Sequence, residues 1–179
     1  MFLIEGKLHA TTAEIAKAAG IPRTSLHYYF RSRDILFRLV FEEAVKDLTR
    51  RIADILDSKL PFKTKIENFV GVVTQETLVY PYLETFIITE IIDHKFVLTD
   101  KTVPEKWNSF LKEIKDEMKK GTIQKMDPLQ FVLNLFALIA YPAISAPLYA
   151  NLFNISDSRF RELLLDRKKI ILKLIFKQH

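Results

Sequence analysis

Residues 11–30 read TTAEIAKAAGIPRTSLHYYF. Thr11 followed three positions later by Glu14 is the pattern of a capping box, which starts a helix. Ile15, Ala16 and Ala19 give that helix a narrow inner face of small side chains, and Gly20 stands where a left-handed turn stops it. Pro22 suits the opening of a second helix, because its missing N–H has no intrahelical partner there. Ala16 permits close approach of the two helices, and Ile21 and Leu26 fill the angle between them. The pattern predicts a helix-turn-helix.

The second helix of this pair has two faces. At 100° per residue, Pro22, Leu26 and Tyr29 point inward, Thr24, His27 and Tyr28 point outward, and Arg23 and Ser25 flank them. The outward side chains are donors and acceptors of a size that reaches base edges and phosphates in a major groove. From Lys7 to Arg38, six cations (Lys7, Lys17, Arg23, Arg31, Arg33, Arg38) face two carboxylates, Glu14 and Asp34. Over the whole chain the excess is smaller: 27 Lys+Arg against 22 Asp+Glu, a net charge of +5. The local concentration is what phosphate contact needs. Arg33 stands where a further helix opens, and free N–H groups there also favour a phosphate.

The run from Thr11 through Leu36, ending YYFRSRDIL, resembles the DNA-binding domain of the tetracycline-repressor (TetR) family. In that family the recognition helix ends in a Tyr-x-Tyr/His-Phe cluster, and a Ser-Lys-Glu-x-Leu stretch opens a long linking helix. The matching residues are His27, Tyr28, Tyr29 and Phe30, then Ser32, Arg33, Asp34 and Leu36. The resemblance covers about the first sixty residues; beyond them, chain length and all-helical layout agree. It implies a homodimeric transcriptional regulator, a repressor released from a palindromic operator in double-stranded DNA by a small-molecule effector. It also implies DNA contacts at Thr12, Arg23, Thr24, Ser25, His27, Tyr28 and Arg33. The alternative is a dimeric small-molecule-binding protein with an impaired DNA-binding domain.

Two departures from the family pattern stand out. His27 occupies the place of a tyrosine whose hydroxyl contacts a phosphate; an imidazole is shorter but still donates one hydrogen bond. Met1 to Gly6 read as only the end of a first helix, so a preceding segment on the order of ten residues is expected, given about 1.5 Å rise per helical residue and usual helix lengths.

The expected fold class is all-α, because no strand-like alternation or hairpin signal occurs. An N-terminal helix-turn-helix domain (1–45) is joined by a long helix to a ligand-binding and dimerisation domain (46–179). Nine helices are expected. The fourth, about 33–58, carries a sustained apolar stripe from Leu36 to Ile55. Pro61 opens the fifth, the sixth spans about 82–95 and the seventh about 104–120. Asp127-Pro128 opens the eighth, and Ser156 caps the ninth. The apolar stretch Phe131–Leu152, broken by Asn134, Pro142, Pro147 and Asn151, reads as one buried, kinked helix and not as a membrane span. With 49% hydrophobic residues, the chain is long enough for a substantial core. It holds no cysteine, which excludes disulfides and thiolate chemistry. No secretory signal is read, and a cytoplasmic protein without a membrane partner is expected.

The last two helices are the expected dimer surface. Phe160, Leu163, Leu164, Ile170, Ile171, Leu174 and Ile175 give the ninth a wide apolar face, and Ala140, Ala143 and Ala146 permit close approach on the eighth. Arg167-Lys168-Lys169 is placed on the solvent side. A two-fold axis is also what a palindromic operator requires. The expected effector pocket has apolar walls from Phe69, Tyr82, Phe86, Trp107, Phe110, Phe131 and Tyr141. Its polar groups are Thr89 and Glu90, which interrupt FIITEII, and Asn134, which interrupts FVLNLFALIAY. No catalytic motif is present: there is no GxGxxG, GxSxG, P-loop or HExxH. Glu90 and His94, four apart, are too few to hold a metal. No enzyme activity, metal or cofactor is expected.

Overall fold

The expected caps start their helices. Thr11 Oγ1 accepts from Glu14 N, and the Glu14 carboxylate accepts from Thr11 N at 2.8 Å, so α2 (Thr12–Ala18) begins with both halves of a capping box. Gly20, at φ +66°, turns the chain, and α3 (Arg23–Phe30) follows. Ser32 caps α4 (Arg33–Asp57), and Asp127 caps α8 (Pro128–Ile144). The computed structural model describes residues 1–94 and 102–176; for residues 90–94 and 102 it describes the backbone alone. Among these, the remaining helices are α1 (Phe2–Glu5), α5 (Phe62–Val79), α6 (Leu83–His94), α7 (Thr102–Lys120), α9 (Ala146–Phe153) and α10 (Asp157–Ile175).

The count differs from the expectation at one place. The stretch read as a single kinked helix is two, α8 and α9, bent by 60° at Ser145. Pro147 has no N–H to donate back to Ala143, and its ring crowds that carbonyl, so the helix stops and restarts. None of the α9 side chains is buried, so the second half of the stretch is a surface element. Among the described residues, no single helix is long and apolar enough to cross a membrane.

Helix α4 runs through the centre. Leu36, Phe37, Phe41, Val45, Leu48, Ile52, Ala53 and Leu56 are buried along it, one stripe over seven turns. Three cores meet that stripe in succession. Leu36 closes on Ala16 and Leu26, which form the small core of the helix-turn-helix. Phe37, Phe41 and Val45 join Phe2, Ala10 and Phe86 in a junction between α1, α4 and α6. From Leu48 onward the stripe enters the main core with Phe62, Phe69, Phe110, Ile114 and Leu135. The far end of α4 is braced by polar groups as well. Buried Lys65 donates to the Leu56 carbonyl at 3.0 Å and to the Glu113 carboxylate at 2.7 Å, while Arg51 pairs with Glu76 on α5. An isolated antiparallel bridge between Ile123 and Phe176 ties the end of α10 to the loop after α7.

The junction is tight at Gly6. Its φ of +66° ends α1, and the Tyr82 ring lies so close that an added Cβ would sit 2.7 Å from the ring edge. Tyr82 N–H donates to the Leu3 carbonyl at 3.0 Å, so the start of α6 is bonded directly to α1. Rings of Phe2, Phe37 and Phe86 complete the contact, with centroids 4.4 Å (Phe2–Phe37) and 5.0 Å (Phe37–Phe86) apart.

Candidate nucleic-acid interface

Leu26 is the single buried side chain of α3, and it anchors the helix on Ala16 and Leu36. The rest of the helix faces outward. Arg23, Thr24, His27 and Tyr28 are exposed, with Tyr28 at 80%; Ser25 is half-buried, as is Thr12 at the start of α2. Tyr29, placed inward by helical projection, is 74% exposed instead. A two-turn helix with one buried residue has too narrow an inner stripe for projection to place its last turn. The Tyr28 and Tyr29 rings meet edge-on at 5.4 Å, so the end of α3 presents two phenols side by side. Sequence reasoning missed Tyr29 as a surface group; a phenol flanked by His27 and Arg31 was the available signal.

The turn out of α3 is set by Arg31, which adopts φ 54°, ψ −40°, a conformation side chains seldom hold. Its N–H closes α3 onto the His27 carbonyl at 2.8 Å, and Ser32 then opens α4. Lys17, Arg23 and Arg31 form no ion pair among the described residues, whereas Lys7 is held by Glu5 at 2.6 Å. The Glu5 carboxyl is correspondingly pulled below its usual range, first by the Lys7 hydrogen bond. Glu14 is lowered too, first by the backbone N–H of Thr11, so the cap is a stable anion beside α2.

Arg33 is placed differently from the expectation. It was read as a phosphate contact at the mouth of α4, but its guanidinium turns back under the preceding loop. Nε donates to the Ala10 carbonyl at 2.9 Å and an Nη donates to the Leu8 carbonyl, while the cation stacks 4.3 Å above the Phe37 ring. The residue fastens the α1–α2 loop to α4. The helix opening by itself could not reveal this, because the two acceptors lie 23 and 25 positions earlier in the chain.

The residues expected to line an effector pocket do not come together around one. Phe69 and Phe86 are fully buried, Phe110 and Phe131 nearly so, and these rings pack in the cores described above. Trp107 meets Phe69 and Phe110 edge-on at 6.4 and 6.1 Å. Tyr82 covers Gly6, and the Thr89 hydroxyl donates within its own helix to the Thr85 carbonyl. The Glu90 side chain lies outside the described residues. Phe131, Asn134 and Tyr141 instead line a groove of about 760 Å³ between α8, α9 and α10. Around it the outer faces of α8 and α10 carry exposed Leu129, Leu133, Tyr141, Ile170 and Leu174. Arg167, expected on the solvent side with its neighbours, faces this groove; Lys168 reaches over Gly71 on α5, and Lys169 is exposed.

No curated protein matches the chain by sequence. Two solved structures share its fold. One is a protein of unknown function from Rhodococcus sp. RHA1, 14% identical, with a TM-score of 0.56 over 97% of this chain and 87% of that one. The other is a TetR family transcription regulator from Marinobacter aquaeolei VT8, 13% identical, also with a TM-score of 0.56, over 97% of this chain and 88% of that one. Residues 3–40, which hold α1, the helix-turn-helix and the first turns of α4, match the sequence pattern of bacterial regulatory proteins of the tetR family. By that domain, set on a helical body of the same fold, the chain belongs to the tetR family.

Proposed function

We propose that the protein is a homodimeric transcription regulator that binds a palindromic operator, acts as a repressor, and is released by a small-molecule effector. The observation that carries the reading is the outward face of α3: Arg23, Thr24, His27, Tyr28 and Tyr29 stand clear of the core on a helix anchored by Leu26 alone. Arg23 opens that helix and is the residue assigned to a base edge. The tyrosines, His27, Ser25 and Thr12 serve the phosphate backbone and the register of docking. Arg33 acts through the fold, by holding the loop between α1 and α2.

Dimerisation through α8 and α10 follows from their uncovered apolar faces, and it sets two α3 helices against successive major grooves about 34–36 Å apart. The effector works by changing that separation. Two routes lead from the helical body to α3: the shared stripe of α4, and the bond of Tyr82 to Leu3 that joins α6 to α1. A ligand that favours one arrangement of α6 against α1 shifts the population with the productive spacing.

Selection from a randomised duplex library at several salt concentrations tests the reading. A two-fold symmetric site should emerge, with affinity falling steeply as salt rises. Arg23→Ala should relax preference at one base pair in each half-site and cost about 1–3 kcal/mol per lost bidentate contact. An unchanged selected sequence in that variant would show that α3 does not read bases.

A further inference from the structure

The groove between α8, α9 and α10 is apolar along most of its length, and Arg167 is the one charged residue lining it. Its position has a backbone cause. Pro142 lacks the N–H that would bond the Leu138 carbonyl four residues before it, and Arg167 Nε donates to that carbonyl at 2.9 Å. This commits one of the five guanidinium N–H groups; the four on the Nη atoms have no partner among the described residues. Burial pushes Arg167 below its ordinary range, yet a guanidinium keeps its proton in any protein setting.

The surroundings offer no counter-charge. From Pro128 through Ile155 the chain holds no Asp, Glu, Lys, Arg or His, so the α8 and α9 walls are neutral throughout. The polar groups near the cation are neutral too: the Tyr141 and Tyr149 hydroxyls, 3.5 Å apart, and the exposed amide of Asn134. A second copy seated on α8 and α10 would close the groove with more of the same uncharged surface. A desolvated cation without an anion is costly, and the volume is within the range of small-molecule sites.

We propose that this groove binds an apolar-chain carboxylate. Its head accepts from the free Nη–H groups of Arg167, and its chain lies along Leu138, Leu163, Ile170 and Leu174. The proposal deepens the regulator reading by giving its effector a chemical class and a place, and its test needs no DNA.

The probes are decanoate, decanol and decyltrimethylammonium, each below its micelle concentration, titrated calorimetrically into the full chain. Decanoate should saturate at one per chain and bind about tenfold or more tighter than the other two, because only its head forms charge-assisted bonds with Arg167. Arg167→Leu should erase the preference for the carboxylate. Since that change also orphans the Leu138 carbonyl, Leu163→Glu is the companion variant: it sets a like charge on the exposed wall and should lose decanoate while the helical circular dichroism stays intact. Equal affinity for all three probes, or no binding of decanoate, overturns the proposal. So does a dimer that excludes decanoate and separates on Asp166→Asn or Glu162→Gln, because a carboxylate of the second copy then answers Arg167. Retained decanoate binding without operator binding would remove the regulator reading and leave the groove; the reverse would remove the groove alone.

Discussion

Arg33→Ala takes away a guanidinium that bonds the Leu8 and Ala10 carbonyls and lies over Phe37. A hydrogen bond from a charged donor contributes about 1.5–3 kcal/mol, and a cation over an exposed ring adds about 0.5 kcal/mol. The side chain is 31% exposed, so water reaches it and replaces part of each bond when it is lost. A net loss of about 2 kcal/mol is a reasonable expectation for two bonds at the low end of that range, less what water returns. That is roughly a thirtyfold rise in the opening equilibrium of the α1–α3 segment, whose own core is only Ala16, Leu26 and Leu36. Amide exchange in residues 1–30 should quicken by about that factor, while amides of α5 and α8 keep their rates. Operator affinity should fall with it, but the slope of log affinity against log salt should not change. A direct phosphate contact predicts the opposite: unchanged exchange and a slope reduced by about one unit per subunit. Arg33→Lys sharpens the choice. It keeps the charge but not the two-pronged bond, so it should resemble Ala in exchange if the residue is a brace, and the parent in affinity if it is a phosphate contact. A reduced slope with undisturbed exchange would refute the brace.

Gly6 and Gly20 share φ +66°, but a Cβ at Gly6 meets the Tyr82 ring at 2.7–2.9 Å and one at Gly20 meets nothing within 4 Å. Gly20→Ala should therefore cost only the left-handed backbone penalty of roughly 1–2 kcal/mol, and Gly6→Ala roughly 1–3 kcal/mol more from overpacking, both read by thermal unfolding. Burial with no countering charge holds the Glu84 carboxyl above its usual range. Its ionised form is thus penalised in the folded state; the penalty is absent below the unfolded carboxyl range and complete once pH passes the raised folded value. Glu84→Gln should accordingly melt higher than the parent at neutral pH and lose that advantage below about pH 4, where the parent is protonated in both states. Leu133→Asp places a charge on the uncovered face of α8, at a residue 53% exposed. It should give a monomer by sedimentation with little change in helical content, since an exposed site leaves the core intact; a dimer that persists would move the interface elsewhere.

What was legible in the sequence was what adjacent residues decide among themselves. Thr11 with Glu14, Ser32, Asp127 with Pro128 and Ser156 each form the cap their spacing implies, because cap and first turn are neighbours. The stripe from Leu36 to Leu56 is readable for the same reason. The effector pocket was not, since Phe69, Phe86, Trp107 and Phe110 recur at helical spacing whether they fill a core or line a hollow. The difference depends on side chains arriving from other helices. The two arginines are the most instructive failures, because both were read as charge on a surface and both turn out to complete a backbone. Arg167 answers the Leu138 carbonyl that Pro142 orphans, 29 positions earlier, and Arg33 answers Leu8 and Ala10 in a loop with few bonds of its own. The orphan at Leu138 could be deduced from Pro142 alone, since a proline inside a helix always leaves one. The donor could not, because it belongs to another helix. The two arginines then part company. Arg33 has one Nη on Leu8 and another beside Asp34, so most of its donors are engaged, whereas Arg167 keeps both Nη atoms facing a neutral groove. That residual charge, rather than the apolar walls that any dimer interface would share, is what marks the groove as a place for an anion.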